Sequence, residues 1–223
     1  ARIAPKGPEV LEIPWAADTE AFHPRLKADG TRERVRQELE LGNRPTALFT
    51  GTFRTWHGAD LLPAIAQTVL ARVPDAVFLL AGSGDTFDAI RKEVTDRGLE
   101  GSVRLLGSLP YDRMPGLCAA ADVGLAPFRP EANPLFERLG FYYSPLKIFE
   151  YMAAGIPTVT FDVPELARIV SDNAEGRTVS QVNREAFAQA VSDLLVESPS
   201  RERMGAQARA KAERLYSWSA HAE

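Results

Sequence analysis

From Thr46 onward, short wholly apolar runs alternate with longer amphipathic stretches, and this alternation limits the fold more than any other feature. "TALFTG", "AVFLLAG", "VRLLGS", "VGLAPF" and "IPTVTF" read as strands, with "GRTVS" as a short sixth. Between them lie helical patterns: "ADLLPAIAQTVLARV", a stretch from about Thr86 to Gly98, "RMPGLCAAA", "SPLKIFEYMAAG", "PELARIV" and "NREAFAQAVSDLLVES". Strands without a polar face need cover on both sides, which a parallel sheet between two helix layers supplies. Right-handed crossovers then give an α/β, doubly wound, Rossmann-like sheet. Ligands of such sheets sit at the carboxyl ends of the strands. The loops after residues 50, 81, 107 and 126, and the one before Ser144, are therefore where chemistry is expected.

The 223 residues suffice for one large domain with appendages. Residues 1–41 fall outside the alternation and contain one possible strand, "EVLEI", a turn-rich stretch, "PWAADTEAFHP", and a charged helical pattern stopped by Gly42. The layer itself is expected over 42–199, and an Arg- and Ala-rich helix over 200–223. Both ends look like linkers that pack on something else. Net charge is −4 with Lys and Arg scattered, which argues against a nucleic-acid surface. Cys118 is the only cysteine, so no internal disulfide can form and a reducing, cytoplasmic compartment is expected. No apolar run reaches membrane-spanning length, and no signal peptide is visible.

The most marked segment is "SPLKIFEYMAAGIPTV", residues 144–159. Ser144 reads as a helix cap, Pro145 as a first-turn residue and Gly155 as the stop. Lys147 and Glu150, three apart, share a face. One reading is a capped helix with a surface ion pair. The other gives the helix N-terminus and Lys147 to a phosphate, and Glu150 to sugar hydroxyls, because an ionised carboxylate only accepts. In "GTFRTWHG", residues 51–58, Gly51 allows a close turn, and Arg54 and His57 are placed to face an anion or to be structural around a packed Trp56. "AGSGDTFD" resembles a dinucleotide fingerprint, but Phe87 replaces its third glycine and it follows the second strand, so nicotinamide binding is not expected. The Pro-interrupted stretch 127–143 carries Arg129, Glu131, Glu137 and Arg138 among aromatics, as a functional loop or a surface excursion. No nucleophile–base pair and no zinc or calcium spacing is present.

Taken together, "SPLKIFEYMAAGIPTV" resembles the donor-site helix of the retaining GT-B glycosyltransferases, called group 1 or family 4. "LFTGTFRTWHGADLL", "VFLLAGSGD", "VRLLGSLP" and "AADVGLAPF" follow in that family's order, "EIPWAADTEAFHP" is similar to its linker, and "YSW" to its returning tail helix. The resemblance implies one half of a GT-B fold: the C-terminal domain that binds a nucleoside diphosphate sugar, with an absent N-terminal acceptor domain as partner. It implies a hexosyltransferase-like enzyme when complete and an inactive fragment when isolated, with no metal cofactor. By position it gives Glu150 the nucleotide ribose, the Leu146 and Lys147 amides the diphosphate, and Gly51 the first loop. The chain departs from the pattern in three places. Thr52 and His57 stand where the family has an arginine and a lysine, and Tyr142 stands where its first glutamate meets the transferred sugar. Lys147 and Arg54 are then the substitutes for the missing charge, and Glu137 or Glu131 for the missing carboxylate. Two other classes stay open: a non-catalytic nucleotide- or ligand-binding module, and a GT-B-like sugar-nucleotide epimerase.

Overall fold

The structure, a computed structural model, describes residues 15–180 and 183–222. The proposed strand "EVLEI" lies outside the described residues. Six parallel strands form one sheet: β1 Thr46–Thr50, β2 Val77–Ala81, β3 Val103–Gly107, β4 Val123–Ala126, β5 Thr158–Phe161 and β6 Gly176–Val179, in the order β3-β2-β1-β4-β5-β6. The order reverses between β1 and β4, which is where a doubly wound sheet opens a crevice at its carboxyl edge.

Alternate residues along each strand feed opposite cores, as the two-residue strand period requires. Phe49, Phe78 and Leu80 join the core under α2 (Leu62–Leu70), α3 (Phe87–Asp96) and α8 (Arg184–Val196). Leu48, Leu79 and Ala81 face the other core, under α4 (Met114–Ala120) and α6 (Leu146–Ala153). Pro115 causes no break because it lies in the first turn of α4, where its missing N–H has no partner to lose. Two short helices, α5 (Pro134–Leu139) and α7 (Pro164–Ala167), decorate the carboxyl edge. The stretch 127–143 is thus not an irregular excursion. It holds a 3-10 turn, Pro130–Ala132, and α5, whose first turn is capped by the Asn133 side chain.

The segments read as linkers pack on this same layer. Helix α1 (Thr31–Glu38) lies against α4, while Phe22 and Leu41 are fully buried beside it. The long helix α9 (Ser198–Leu215) packs along α6, and Arg209 donates to the carbonyls of Thr19, Phe22 and Ala153. After it, Tyr216 stacks on Phe149 at 4.6 Å, and α10 (Trp218–His221) brings Trp218 edge-on to Trp15 at 6.3 Å. A Cβ on Gly205, inside α9, would stand 2.4 Å from the Gly155 carbonyl oxygen. Alanine is the better helix former by about 1 kcal/mol, yet Gly205→Ala is expected to destabilise by about 1–3 kcal/mol, because α9 must back away from α6. Thermal denaturation of the variant checks this.

Candidate functional site

At the switch point, three loops and one helix start converge on a cavity of about 370 Å³. Gly51, Thr52 and His57 come from the loop after β1, Gly82 and Ser83 from the loop after β2, Ser108 and Leu109 from the loop after β3, and Leu146, Lys147 and Glu150 from α6. Of the residues singled out in the sequence, Gly51, His57, Leu146, Lys147 and Glu150 therefore meet. Arg54 and Ser144 do not line the cavity. Arg54 is exposed on the loop.

The start of α6 differs from the expectation. Ser144 does not cap it: the helix begins at Leu146, Pro145 is the cap position, and no side-chain cap bond forms. Pro145, at φ −81° and ψ 70°, makes an inverse γ-turn in which the Leu146 N–H donates to the Ser144 carbonyl at 2.9 Å. The Ser144 hydroxyl instead accepts a long bond from the Trp15 N–H, 3.4 Å. Leu146 therefore has its amide engaged, while the Lys147 N–H has no acceptor among the described residues.

Lys147 and Glu150 are not a surface pair. Each is only 5% exposed. The Lys147 ammonium nitrogen and Glu150 Oε1 are both buried without a hydrogen-bond partner. The ammonium lies over Phe49, 3.8 Å from the ring centre, and 4.9 Å from that of Phe128. A Cβ on Gly51 would approach its nitrogen to 3.1 Å, so the glycine makes room for the lysine tip. Burial pulls Lys147 down to about 7, against which the Glu150 charge works. Burial pushes Glu150 up to about 7, opposed by the Tyr111 phenol and the Lys147 charge.

His57 is not a stand-in cation. It is buried among Trp56, Phe128 and Tyr143, with Nδ1 3.1 Å from the Thr52 hydroxyl and Nε2 without a partner. Burial first, then the Lys147 charge, lower it to about 3, so the ring is neutral. Tyr142 is exposed, and Glu131 lines a separate cavity with Glu165. Among the described residues, none forms the metal-ligating cluster of three or more side chains that a resident ion would need.

Three positioning features were not legible beforehand. The Tyr151 phenol, fully buried, accepts the Thr50 N–H at 2.8 Å and lies 3.1 Å from the Thr50 hydroxyl, tying α6 to the end of β1. The ring fits because β4 carries Gly124, where a Cβ would come 2.3 Å from it. Arg129 bridges the switch point: its N–H donates to the Trp56 carbonyl, and its guanidinium to the Thr55 carbonyl and the Asp60 carboxylate, at 2.6–2.8 Å. Tyr111, Met114 and Tyr143 complete the wall. A lone tyrosine or arginine at these positions carries no local signature, because its partners are 69 to 101 residues away.

Comparison with known proteins agrees with this architecture. At 28% identity over 198 residues, the chain matches a GDP-mannose-dependent alpha-(1-6)-phosphatidylinositol monomannoside mannosyltransferase of Mycobacterium tuberculosis, covering 88% of this chain and 49% of that protein. An alpha-D-kanosaminyltransferase of Streptomyces kanamyceticus is also 28% identical, over 92% of this chain and 48% of its own length. The chain thus spans about half the length of the curated relatives it matches. Among solved structures, Anabaena HepE with UDP-glucose superposes with a TM-score of 0.76 at 19% identity, over 91% of this chain and 52% of that one. The C-terminal domain of LpcC, a group 1 glycosyl transferase family protein of Francisella tularensis, gives 0.75 at 17% identity, over 91% of this chain and 99% of that one. The family model for glycosyl transferases group 1 matches residues 44–197, more than half of the chain. With the sheet order, the switch-point cavity and the helix at its mouth, this settles the family: the chain belongs to the group 1 glycosyl transferases.

Proposed function

We propose that this chain is the donor-binding, C-terminal half of an enzyme that moves a sugar from a nucleoside diphosphate sugar to an acceptor with retention of configuration. One observation carries the reading: a buried amine, and a buried carboxyl with one oxygen left without a partner, border one cavity at the sheet's switch point. Unsatisfied buried polar groups are costly unless a ligand completes them.

In this reading the free Lys147 N–H and the Lys147 ammonium take the diphosphate. The Glu150 carboxylate accepts the two ribose hydroxyls. When the glycosidic bond to phosphate breaks, negative charge grows on the leaving diphosphate. A fixed N–H and a cation already in a low-dielectric site stabilise that charge without reorganisation. The neutral His57 ring supplies shape and a hydrogen-bonding nitrogen, not charge, so among the described residues lining the cavity Lys147 is the side chain that can meet the phosphate as a cation. No step requires a resident metal ion. The acceptor, and the other wall of the cleft, belong to an N-terminal half partnering this one. The relatives' dependence on GDP-mannose and the UDP-glucose bound to HepE make GDP and UDP the nucleotides to try. A cytoplasmic setting accords with the free, buried Cys118.

Calorimetry with UDP and GDP tests the assignment. Binding by one of them, weakened about 10- to 100-fold in Glu150→Ala, is expected from losing hydrogen bonds to a charged group. Binding unchanged by that substitution would remove Glu150 from the site.

A further inference from the structure

Lys147 and Glu150 lie on neighbouring turns of α6, yet the two do not pair: the amine has no hydrogen-bond partner, and Glu150 Oε1 has none, the carboxyl meeting only the Tyr111 phenol. Residues three apart on a helix can reach each other. Here the amine is drawn onto the Phe49 ring under Gly51 instead. Two separated charges in so apolar a place are unfavourable, and a buried group avoids this by giving up its charge.

Beyond the two charges of the pair itself, none of the described residues around it supplies a counter-charge. From the loop after β1, His57 is neutral. Tyr111 faces Glu150 from the turn after β3, Tyr143 from the segment before α6, and Cys118 from α4. All three are shifted upward, first by burial and then by the Glu150 charge, and so remain protonated. Tyr151, on α6 itself, is likewise raised by burial. Arg54, whose charge also reaches His57, is exposed on its loop.

We propose that the empty site holds Lys147 as a neutral amine and Glu150 as a neutral acid, and that loading of a diphosphate ligand moves one proton from Glu150 to Lys147. This inference rests on the donor-site reading and extends it to the regulation of that site. The O–H bond of the acid breaks and leaves a carboxylate; an N–H bond forms and makes an ammonium. The pair has zero net charge before and after, so no co-reactant is needed. The similar proton affinities of the two buried groups, both near 7, make the exchange easy to tip. Phosphate oxygens favour the ammonium and sugar hydroxyls favour the carboxylate, so one ligand drives both halves. The free site thereby avoids a buried ion pair, and the loaded site gains one where the leaving group needs it.

Carboxyl carbon NMR of Glu150, assigned with Glu150→Gln, reads the acid directly. In the free protein its midpoint is expected near neutrality, and with saturating UDP or GDP it should fall by at least two pH units. Calorimetry in buffers of different ionisation enthalpy reads the balance. At pH 7 the wild type should exchange close to no proton on binding, Glu150→Gln should take up as much as one, and Lys147→Met should release as much as one. A free-protein midpoint at the ordinary carboxyl value overturns the proposal whatever binds, as does uptake near one proton by the wild type. If the midpoint is near neutrality and neither nucleotide binds, the donor-site reading fails instead. Inorganic pyrophosphate is then the deciding probe: leaving Glu150 protonated, it overturns the transfer as well.

Discussion

Gly82→Ala is expected to cost more than about 4 kcal/mol of stability, or to prevent folding, and to abolish nucleotide binding in whatever folds. Gly82 follows β2 at φ +144°, a region that residues with a Cβ rarely enter. A Cβ there would stand 1.8 Å from the Gly51 carbonyl oxygen and 2.9 Å from its carbon. Both are backbone atoms, so no side chain can swing aside. Gly51 would have to move, and Gly51 shelters the Lys147 tip. Strain and displacement thus fall on the same loop, and the damage should spread to the cavity. Chemical denaturation, with nucleotide calorimetry on any soluble variant, checks both parts. An alanine variant within about 1 kcal/mol of wild type would mean that the two loops are not in this close contact.

Lys147→Met should separate stability from binding. Burial holds Lys147 at about 7 against an ordinary 10.5. The unfolded chain therefore keeps its proton over a range in which the folded chain has lost it. The resulting penalty is absent above pH 10.5, grows as pH falls towards 7, and stays level below. Methionine fills similar space without a charge, so at pH 7 the variant is expected to be more stable by about 1–3 kcal/mol. The gain should vanish as the pH is raised through 10. The same substitution removes the cavity's side-chain cation, and UDP or GDP affinity should drop roughly 100-fold. Melting curves across pH and calorimetry give the two numbers. A loss of stability at neutral pH would mean that the amine holds the fold together, contrary to its lack of partners.

The strands and most helices were legible because their signal is local. Five-residue apolar runs such as "TALFT" and "VFLLA" became β1 and β2 with every residue buried. The convergence of Gly51, His57 and α6 was legible too, because topology alone brings the carboxyl ends of β1 and β4 together. Protonation and engagement were not. Lys147 and Glu150 read equally well as a solvated pair, since nothing in "PLKIFEYM" says that both faces of so short a helix are covered. It is the aromatic shell of Phe49 and Phe128, brought from other strand ends, that buries the lysine. Ser144 failed as a cap for a local reason. Pro145 adopts a γ-turn, which spends the first amide on the Ser144 carbonyl and turns the hydroxyl towards Trp15. How the terminal segments pack was not legible from their composition: in the charged helix "TRERVRQE", Val35 and Arg36 are buried against the layer.

The Tyr151 tether has a mechanical consequence. Its phenol holds the last residue of β1 from a fully buried ring on α6, with Gly124 leaving no slack behind it. Tilting α6 would break a desolvated bond and open a void in close-packed surroundings, so the two walls of the cavity move as one block. A ligand then meets a socket whose jaws are already set to width, and little ordering entropy is charged against its affinity. Any motion that changes the width of this cavity must therefore break the Tyr151–Thr50 bond first.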